Sequence, residues 1–326
     1  MSVSVTAKWK LDAGLALLIL VWFAGGRALF PGPDRDVFLV RACATLAFLL
    51  LSTVLSLGPL ARLWRPATRL IHHRRHLGVT TWGLGALHAG LVMHYAVGWD
   101  PRGLLDAASG ERFLGVPYPV FGAAALVILT AMALTSWDHF LHAWGPAGWK
   151  RLHMAVYAAY GLLAIHVLTR LASDEGPIPW ALAGGFFAVV GIVAALHIAA
   201  GVKEAAADRP APPGPDGLVP LGRFADLAEG EARAVCAGGE RIAVVRLEGR
   251  LHAVSNVCPH QNGPLGEGRV RDGYLECPWH GYQFDPRTGQ GPPGFSDFVS
   301  TYPLVTIGET TYLGRPSPPL RIQYPS

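Results

Sequence analysis

Six apolar runs fill the first two hundred residues of this chain, at about 9–30, 37–57, 77–97, 119–136, 149–171 and 179–202. Most of them approach the ~20 residues that a helix needs to cross the hydrocarbon core of a bilayer. The chain as a whole is 51% hydrophobic and 15% charged, with a mean hydropathy of +0.31. A bilayer is therefore its expected solvent, and a bundle of six membrane helices the expected architecture of residues 1–202. The first run is the least regular, because Asp12 and Arg27 interrupt it; a cleaved signal peptide is the alternative reading there, and it would leave the other five runs unchanged.

Orientation follows from Lys and Arg in the short flanks. Eleven fall on one side: Lys8, Lys10, Arg62, Arg65, Arg69, Arg74, Arg75, Lys150, Arg151, Lys203 and Arg209. Six fall on the other, Arg27, Arg35, Arg41, Arg102, Arg112 and Arg170, in company with acids such as Asp34, Asp36, Asp100 and Glu111. Both termini are thus expected in the cytoplasm, with the chain a multi-pass protein of the inner membrane.

After the last run comes a Pro-rich stretch, 203–217, which reads as a semi-rigid spacer. Beyond it the composition changes. Residues 217–326 hold 10 Lys/Arg against 11 Asp/Glu, whereas residues 1–216 hold 17 against 12. Alternating runs such as Arg241–Leu247 and Leu251–Val254, separated by turns like Glu248-Gly249-Arg250, predict short antiparallel strands. The expected layout is an α + β chain: a six-helix transmembrane domain over 1–202, a linker over 203–217, a small all-β domain over 218–315 and a tail over 316–326. No basic stripe with interleaved aromatics is present, so nucleic acid is not an expected partner.

Within the β region, Cys258-x-His260 is followed after sixteen residues by Cys277-x-x-His280. Two thiolates and two imidazoles delivered from two loops match what a two-iron centre with one Cys₂ iron and one His₂ iron requires. Cys₂His₂ is also a tetrahedral zinc set, but the Cys-x-His half is an unusual spacing for a zinc finger. Cys258-Pro259-His260-Gln261-Asn262-Gly263-Pro264-Leu265 and Cys277-Pro278-Trp279-His280-Gly281-Tyr282-Gln283-Phe284-Asp285 resemble the Rieske family, of the bacterial ferredoxin and ring-hydroxylating-oxygenase type, over about 100 residues. The resemblance implies a [2Fe–2S] cluster held by Cys258, His260, Cys277 and His280, with Gly291-Pro292-Pro293 as a covering proline loop and the two histidines as the electron port. Asn262 and Trp279 stand where the respiratory type carries a disulfide, so a lower-potential cluster is implied.

Histidines inside the apolar runs are costly in a membrane and call for a function. His76 and His88 lie twelve residues apart in the third run, and His153 and His166 thirteen apart in the fifth, about 18 and 20 Å along a helix axis. Arg74-Arg75-His76-Leu77-Gly78, Ala86-Leu87-His88 and Trp149-Lys150-Arg151-Leu152-His153 with Ile165-His166 resemble the ferric-reductase-like transmembrane family, over roughly residues 35–200. That family includes NADPH oxidases and the haem-binding membrane subunit of the methionine sulfoxide reductase system. One or two b-type haems are implied, the outer held by His88 and His166. The inner is expected on His153 and His76, with His72, His73 or His197 as alternatives to His76. Surface or interfacial roles are expected for His94, His139, His142 and His252.

No G-x-G-x-x-G follows a strand, so no nicotinamide or flavin module of that type is visible; the cluster domain takes its place. The sequence therefore predicts an electron relay from a soluble reductase or ferredoxin, through the cluster and the haems, to a periplasmic acceptor. An electron-supplying subunit of a periplasmic oxidoreductase, and a redox sensor that turns over no substrate, are the alternatives. A Rieske oxygenase would need a further non-haem iron domain for which the chain has no room.

Overall fold

A computed structural model describes residues 5–29, 31–32, 34–100, 102–103, 106, 112–172, 180–207, 218–237, 240–260, 263–279 and 281–314. The chain divides into two compact units. One joins residues 2–58 to 73–197; the other joins 59–72 to 198–326.

The helices are α1 (Val5–Leu29), α2 (Arg35–Leu63), α3 (Arg74–Val97), α4 (Tyr118–Leu134), α5 (Asp138–His153), α6 (Val156–Ala172) and α7 (Trp180–Ala207). A 3-10 segment, Arg65–His73, links α2 to α3. A hairpin of β1 (Arg112–Phe113) and β2 (Val116–Pro117) precedes α4. Among the described residues four stretches are long and apolar enough to cross a membrane: Asp12–Leu29, Arg35–Leu63, Gly148–Ala172 and Leu182–Ala206. α4 is apolar but has 17 residues, about 25 Å at 1.5 Å per residue. α3 is long enough at 24 residues, yet it opens on Arg74, Arg75 and His76 and is correspondingly more polar.

The fifth predicted run differs most from expectation. It begins earlier, because Asp138–His153 is helical despite Gly145-Pro146, and it tightens between α5 and α6. There Ala155 N–H bonds Leu152 O (3.0 Å) and Tyr157 N–H bonds Met154 O (3.2 Å), three residues back instead of four. His153 and His166 thus lie on successive helices. α7 also runs to Ala207, five residues into the stretch expected as a spacer.

Leu51 and Leu55 of α2, Ala125 and Leu129 of α4, Val156 and Ala159 of α6 and Val193 of α7 form one buried cluster in the first unit. Small residues at Ala125 and Ala159, both fully buried, let α4 run close along α6. Ser52 and Tyr160 hydroxyls meet at 3.0 Å, and Trp82 Nε1 donates to Thr130 Oγ1 (2.9 Å). Leu17, Leu20, Val127, Phe187 and Ile192 point outward and are exposed, as lipid-facing positions must be. This apolar helical region is a membrane domain.

The second unit carries the remaining strands. β10 (Thr301–Tyr302), β6 (Arg250–Ser255), β5 (Glu240–Leu247) and β4 (Ala232–Ala237) form one antiparallel sheet in that order. β11 (Leu304–Ile307), β12 (Thr310–Leu313) and β3 (Val219–Gly222) form a second, and β7 (Arg269–Arg271), β8 (Tyr274–Glu276) and β9 (Gln283–Phe284) a third. β5 is central and buried on both faces. Ala243 and Val245 point into a core with Leu265, Leu275, Phe284, Cys258 and Cys277; Ile242 and Val244 point into another with Phe224, Leu227, Tyr302 and Leu313. That explains its nearly continuous apolar sequence, since each fully buried Val or Ile contributes roughly 1.5–3 kcal/mol.

Two tight hairpins fix register. Leu247 pairs with Arg250 across Glu248-Gly249, and Arg271 with Tyr274 across Asp272-Gly273. All four turn residues have positive φ, 54°, 72°, 52° and 82° in chain order. Turns of that hand match the twist of the strands they join, and the second delivers β8 straight into Cys277.

Candidate metal centre and membrane histidines

The two predicted ligand loops are closed in the same way. Cys258 N–H donates to Gly263 O (2.9 Å), and Cys277 N–H donates to Tyr282 O (2.7 Å), each reaching five residues ahead. The first loop is pinned at its base by Asn256, whose Oδ1 accepts from Gly266 N–H (2.6 Å) and whose carbonyl accepts from Leu265 N–H (2.9 Å). The second turns on Gly281, at φ 73°, a conformation that a Cβ disfavours. Cys258 and Cys277 are 1% and 2% exposed.

Gly263 brings the loops together. A Cβ there would stand 2.6 Å from Cys277 Sγ and 3.2 Å from the Trp279 ring, so only a glycine lets the first loop lie against the second thiol. His260 stacks on Tyr282, ring centres 4.1 Å apart and planes 12° apart. His280, Gln261 and Asn262 lie outside the described residues. Among the described residues no three His, Cys, Asp or Glu side chains gather as they would around one metal ion. A [2Fe–2S] centre asks for only two protein ligands per iron, and two buried thiols on facing loops fit that demand.

In the membrane unit, His88 on α3 and His166 on α6 face each other with ring centres 6.5 Å apart and planes at 82°. His88 Nδ1–H donates to Val40 O (3.0 Å) and His166 Nδ1–H to Tyr118 O (2.9 Å). A carbonyl can only accept, which assigns the proton to Nδ1 and leaves the Nε2 lone pair for a metal. An imidazole–metal bond of about 2 Å on each side, plus roughly 1 Å from nitrogen to ring centre, sets two rings sharing one ion about 6 Å apart. The observed spacing fits a shared iron. Gly122 of α4 makes the room: a Cβ there would lie 2.9 Å from both Cε1 and Nδ1 of His166.

His153 is held by Trp149, which stacks on it at 3.7 Å and 21° and accepts its Nδ1–H at the main-chain carbonyl (3.0 Å). Trp149 is itself fixed by Nε1–H to Thr135 O (2.9 Å). In this unit the buried side-chain polar atoms without a hydrogen-bond partner, among the described residues, are His153 Nε2 and His76 Nδ1. Unpartnered buried nitrogens are costly, and a metal would satisfy them. His197 is different: Nδ1–H donates to Val193 O (2.8 Å) and Nε2 accepts from Tyr157 OH (3.1 Å), so both nitrogens are engaged. The side chain of His72 lies outside the described residues.

The sequence reading passed over Gly122 and quoted Trp149, Gly263 and Tyr282 only as parts of the matching stretches, without a role. Glycine in an apolar helix and tryptophan at a membrane edge are too common to mark one contact.

Residues 217–293 match the Rieske [2Fe-2S] domain family, and residues 42–164 match the ferric reductase like transmembrane component family. The ferredoxin component of the alkene monooxygenase system of Xanthobacter autotrophicus is 36% identical over 90 residues, 27% of this chain and 74% of that protein. The protein-methionine-sulfoxide reductase heme-binding subunit MsrQ of Bordetella pertussis is 35% identical over 145 residues, 44% of this chain. The chain spans 65% of that relative's length, just under two thirds. Among solved structures, the ferredoxin of carbazole 1,9a-dioxygenase from Nocardioides aromaticivorans is 28% identical, with 95% of it and 29% of this chain covered and a TM-score of 0.28.

The two halves define a membrane electron-transfer protein. More particularly, the chain belongs to the Rieske [2Fe–2S] family through its C-terminal domain, and its membrane region is similar to the ferric reductase like transmembrane component family over residues 42–164.

Proposed function

We propose that this chain carries single electrons across the inner membrane, from a soluble reductase or ferredoxin in the cytoplasm to an acceptor on the periplasmic side. Cys258, His260, Cys277 and His280 hold the [2Fe–2S] cluster; His88 with His166, and His153 with His76, hold b-type haem. Mixed Cys/His ligation places the cluster at a higher potential than an all-thiolate one, and imidazole-ligated haem exchanges single electrons without an open coordination site.

The observation that carries this reading is the joining, in one chain, of two buried thiol loops to a facing pair of carbonyl-tethered imidazoles. The protein's own groups do the rest. Val40 and Tyr118 carbonyls fix the tautomers of His88 and His166, Trp149 fixes the ring of His153, and the core around Cys258 and Cys277 excludes water. On this reading the membrane domain spans 1–202 in six passes, with α3 and α4 as the two less conspicuous ones, followed by a linker over 203–217, the cluster domain over 218–315 and a tail. The excess of Lys and Arg in one set of flanks supports both termini and the cluster domain lying inside. An inside-negative potential then assists outward transfer by up to about 2.3 kcal/mol per 100 mV for a full crossing.

A second reading makes the chain the dedicated electron-supplying subunit of a periplasmic oxidoreductase. The likeness to a heme-binding subunit of a protein-methionine-sulfoxide reductase favours it.

The test is a pair of spectra on purified full-length protein: reduced-minus-oxidised absorbance with haem and iron quantification, and electron paramagnetic resonance of the reduced sample. A b-type haem band with a His-ligated [2Fe–2S] signal is expected. In His280→Ala the cluster signal is lost and the haem band stays. A cluster without haem in the wild type overturns the relay and leaves the membrane half an anchor.

A further inference from the structure

Three small or apolar side chains that precede the β-domain by some 150 residues are buried in its unit. Ala61 at the end of α2 and Ala67 and Ile71 of the 3-10 segment are 3%, 1% and 5% exposed, and Leu60 and Trp279 pack against them. Trp279 lies between two of the expected cluster ligands in sequence, Cys277 and His280, and its ring also closes over Gly263 of the other loop. One indole therefore lies against both the first cluster loop and the 60–71 stretch.

Polar ties hold the same assembly. Lys203 of α7 donates to the carbonyl of Arg62, and Glu204 of α7 pairs with Arg241 of β5. Ala61 of α2 and Ala67 of the 3-10 segment, with Ile71, form the apolar cluster on which the indole packs. In sequence the segment ends at His73 and is followed at once by Arg74, Arg75 and His76, the last of these carrying a buried unpartnered nitrogen.

We propose that Pro59–His72 is a built-in docking platform for the cluster-bearing face of the β-domain, and that Trp279 is the positioning residue that seats the centre on it. The inference rests on the relay reading above. On that reading one electron would pass from the reduced [2Fe–2S] centre to one ferric haem while the cluster loops are held against the 59–72 segment. A tether alone raises the effective concentration of the cluster domain; a platform fixes its geometry. The transfer rate then scales with the fraction of molecules that are docked.

The experiment is flash reduction of the full-length protein in detergent, following cluster and haem bands and reading the concentration-independent phase of cluster-to-haem transfer. Trp279→Ala is expected to slow that phase by roughly tenfold or more, because the docked fraction sets the rate, with the cluster resonance signal and haem spectrum unchanged. Trp279→Phe restores most of it. Ala67→Asp attacks the same contact from the platform, away from the cluster loops, and serves if Trp279→Ala fails to hold its cluster. It is expected to slow transfer likewise and to raise amide hydrogen exchange at residues 277–283.

Unchanged transfer in the variants that retain cluster and haem overturns the inference. So does unchanged exchange protection at 277–283 in Ala67→Asp. Absence of transfer in the wild type, with both centres present, overturns the relay instead; the exchange measurement still decides the docking.

Discussion

His88 and His166 confront each other edge to face across 6.5 Å, each held by a carbonyl from a different helix, Val40 of α2 and Tyr118 of α4. On the proposed reading, in which one iron would be held by both, the two residues are equivalent in their loss. His88→Ala and His166→Ala are each expected to remove the same haem, and the double variant no more than either single one. His153→Ala should remove a different one. Haem per polypeptide, measured with the spectrum of what remains, checks the pairing; additive losses from His88→Ala and His166→Ala would rule it out.

Gly122 is the space into which the His166 ring fits. Adding a methyl group at 2.9 Å from Cε1 and Nδ1 forces either the ring or the α4–α6 contact to move, at about 1–3 kcal/mol for an overpacked site. Gly122→Ala should weaken haem retention and shift the haem band. Gly161→Ala, on α6 with nothing within 4 Å, should leave the haem unaltered and add a little helix stability. Equal behaviour of the two variants would exclude the steric argument.

Gly263→Ala should abolish the [2Fe–2S] resonance signal while the haem spectrum persists, because its Cβ would lie 2.6 Å from Cys277 Sγ. Retention of a normal cluster signal at full iron content would mean that the loops part more easily than their hydrogen bonds imply.

The turn after β9 gives the β-domain an acid-sensitive tie. Burial acts to raise Asp285, but hydrogen bonds from the Arg287 side chain and main-chain N–H, together with its charge, outweigh it and hold the carboxyl below the ordinary range. A carboxyl so depressed stabilises the fold above its unfolded pKa of about 3.9, and that contribution is lost as pH falls through the folded value. Wild type should therefore exceed Arg287→Gln in thermal midpoint near neutral pH, with the gap narrowing as pH approaches about 3. Following the visible circular dichroism of the cluster during melts at several pH values gives the comparison. A gap that widens on acidification contradicts the assignment.

The ligand pattern and the apolar runs were legible because they are local: Cys-x-His and Cys-x-x-His are fixed spacings, and a lipid-facing helix is apolar nearly all round. β5 was legible as a strand for the same reason, its Ile242-Ala243-Val244-Val245 core being bounded by charged ends and a Glu248-Gly249 turn. What was not legible depends on chain segments far apart in sequence. The fifth run is expected from residue 149, yet its helix already starts at Asp138 and carries Trp149 under His153. The partners of His88 and His166 are main-chain carbonyls 48 residues away, and any residue type supplies a carbonyl. Ala61 and Ala67 look like ordinary helix formers until Trp279, over two hundred residues later, comes to rest on them.

That resting place bears on how the protein is matured. Residues 59–72 leave the ribosome long before 277–283, since synthesis runs from the N-terminus, so the seat exists before its occupant. Cys258 and Cys277, once enclosed, are 1% and 2% exposed. On the docking proposal, insertion of the cluster is expected before Trp279 is seated. A chain whose indole settles early would be locked without its metal, and the Ala67→Asp variant, slow to settle, should take up iron more completely in a short pulse than the wild type does.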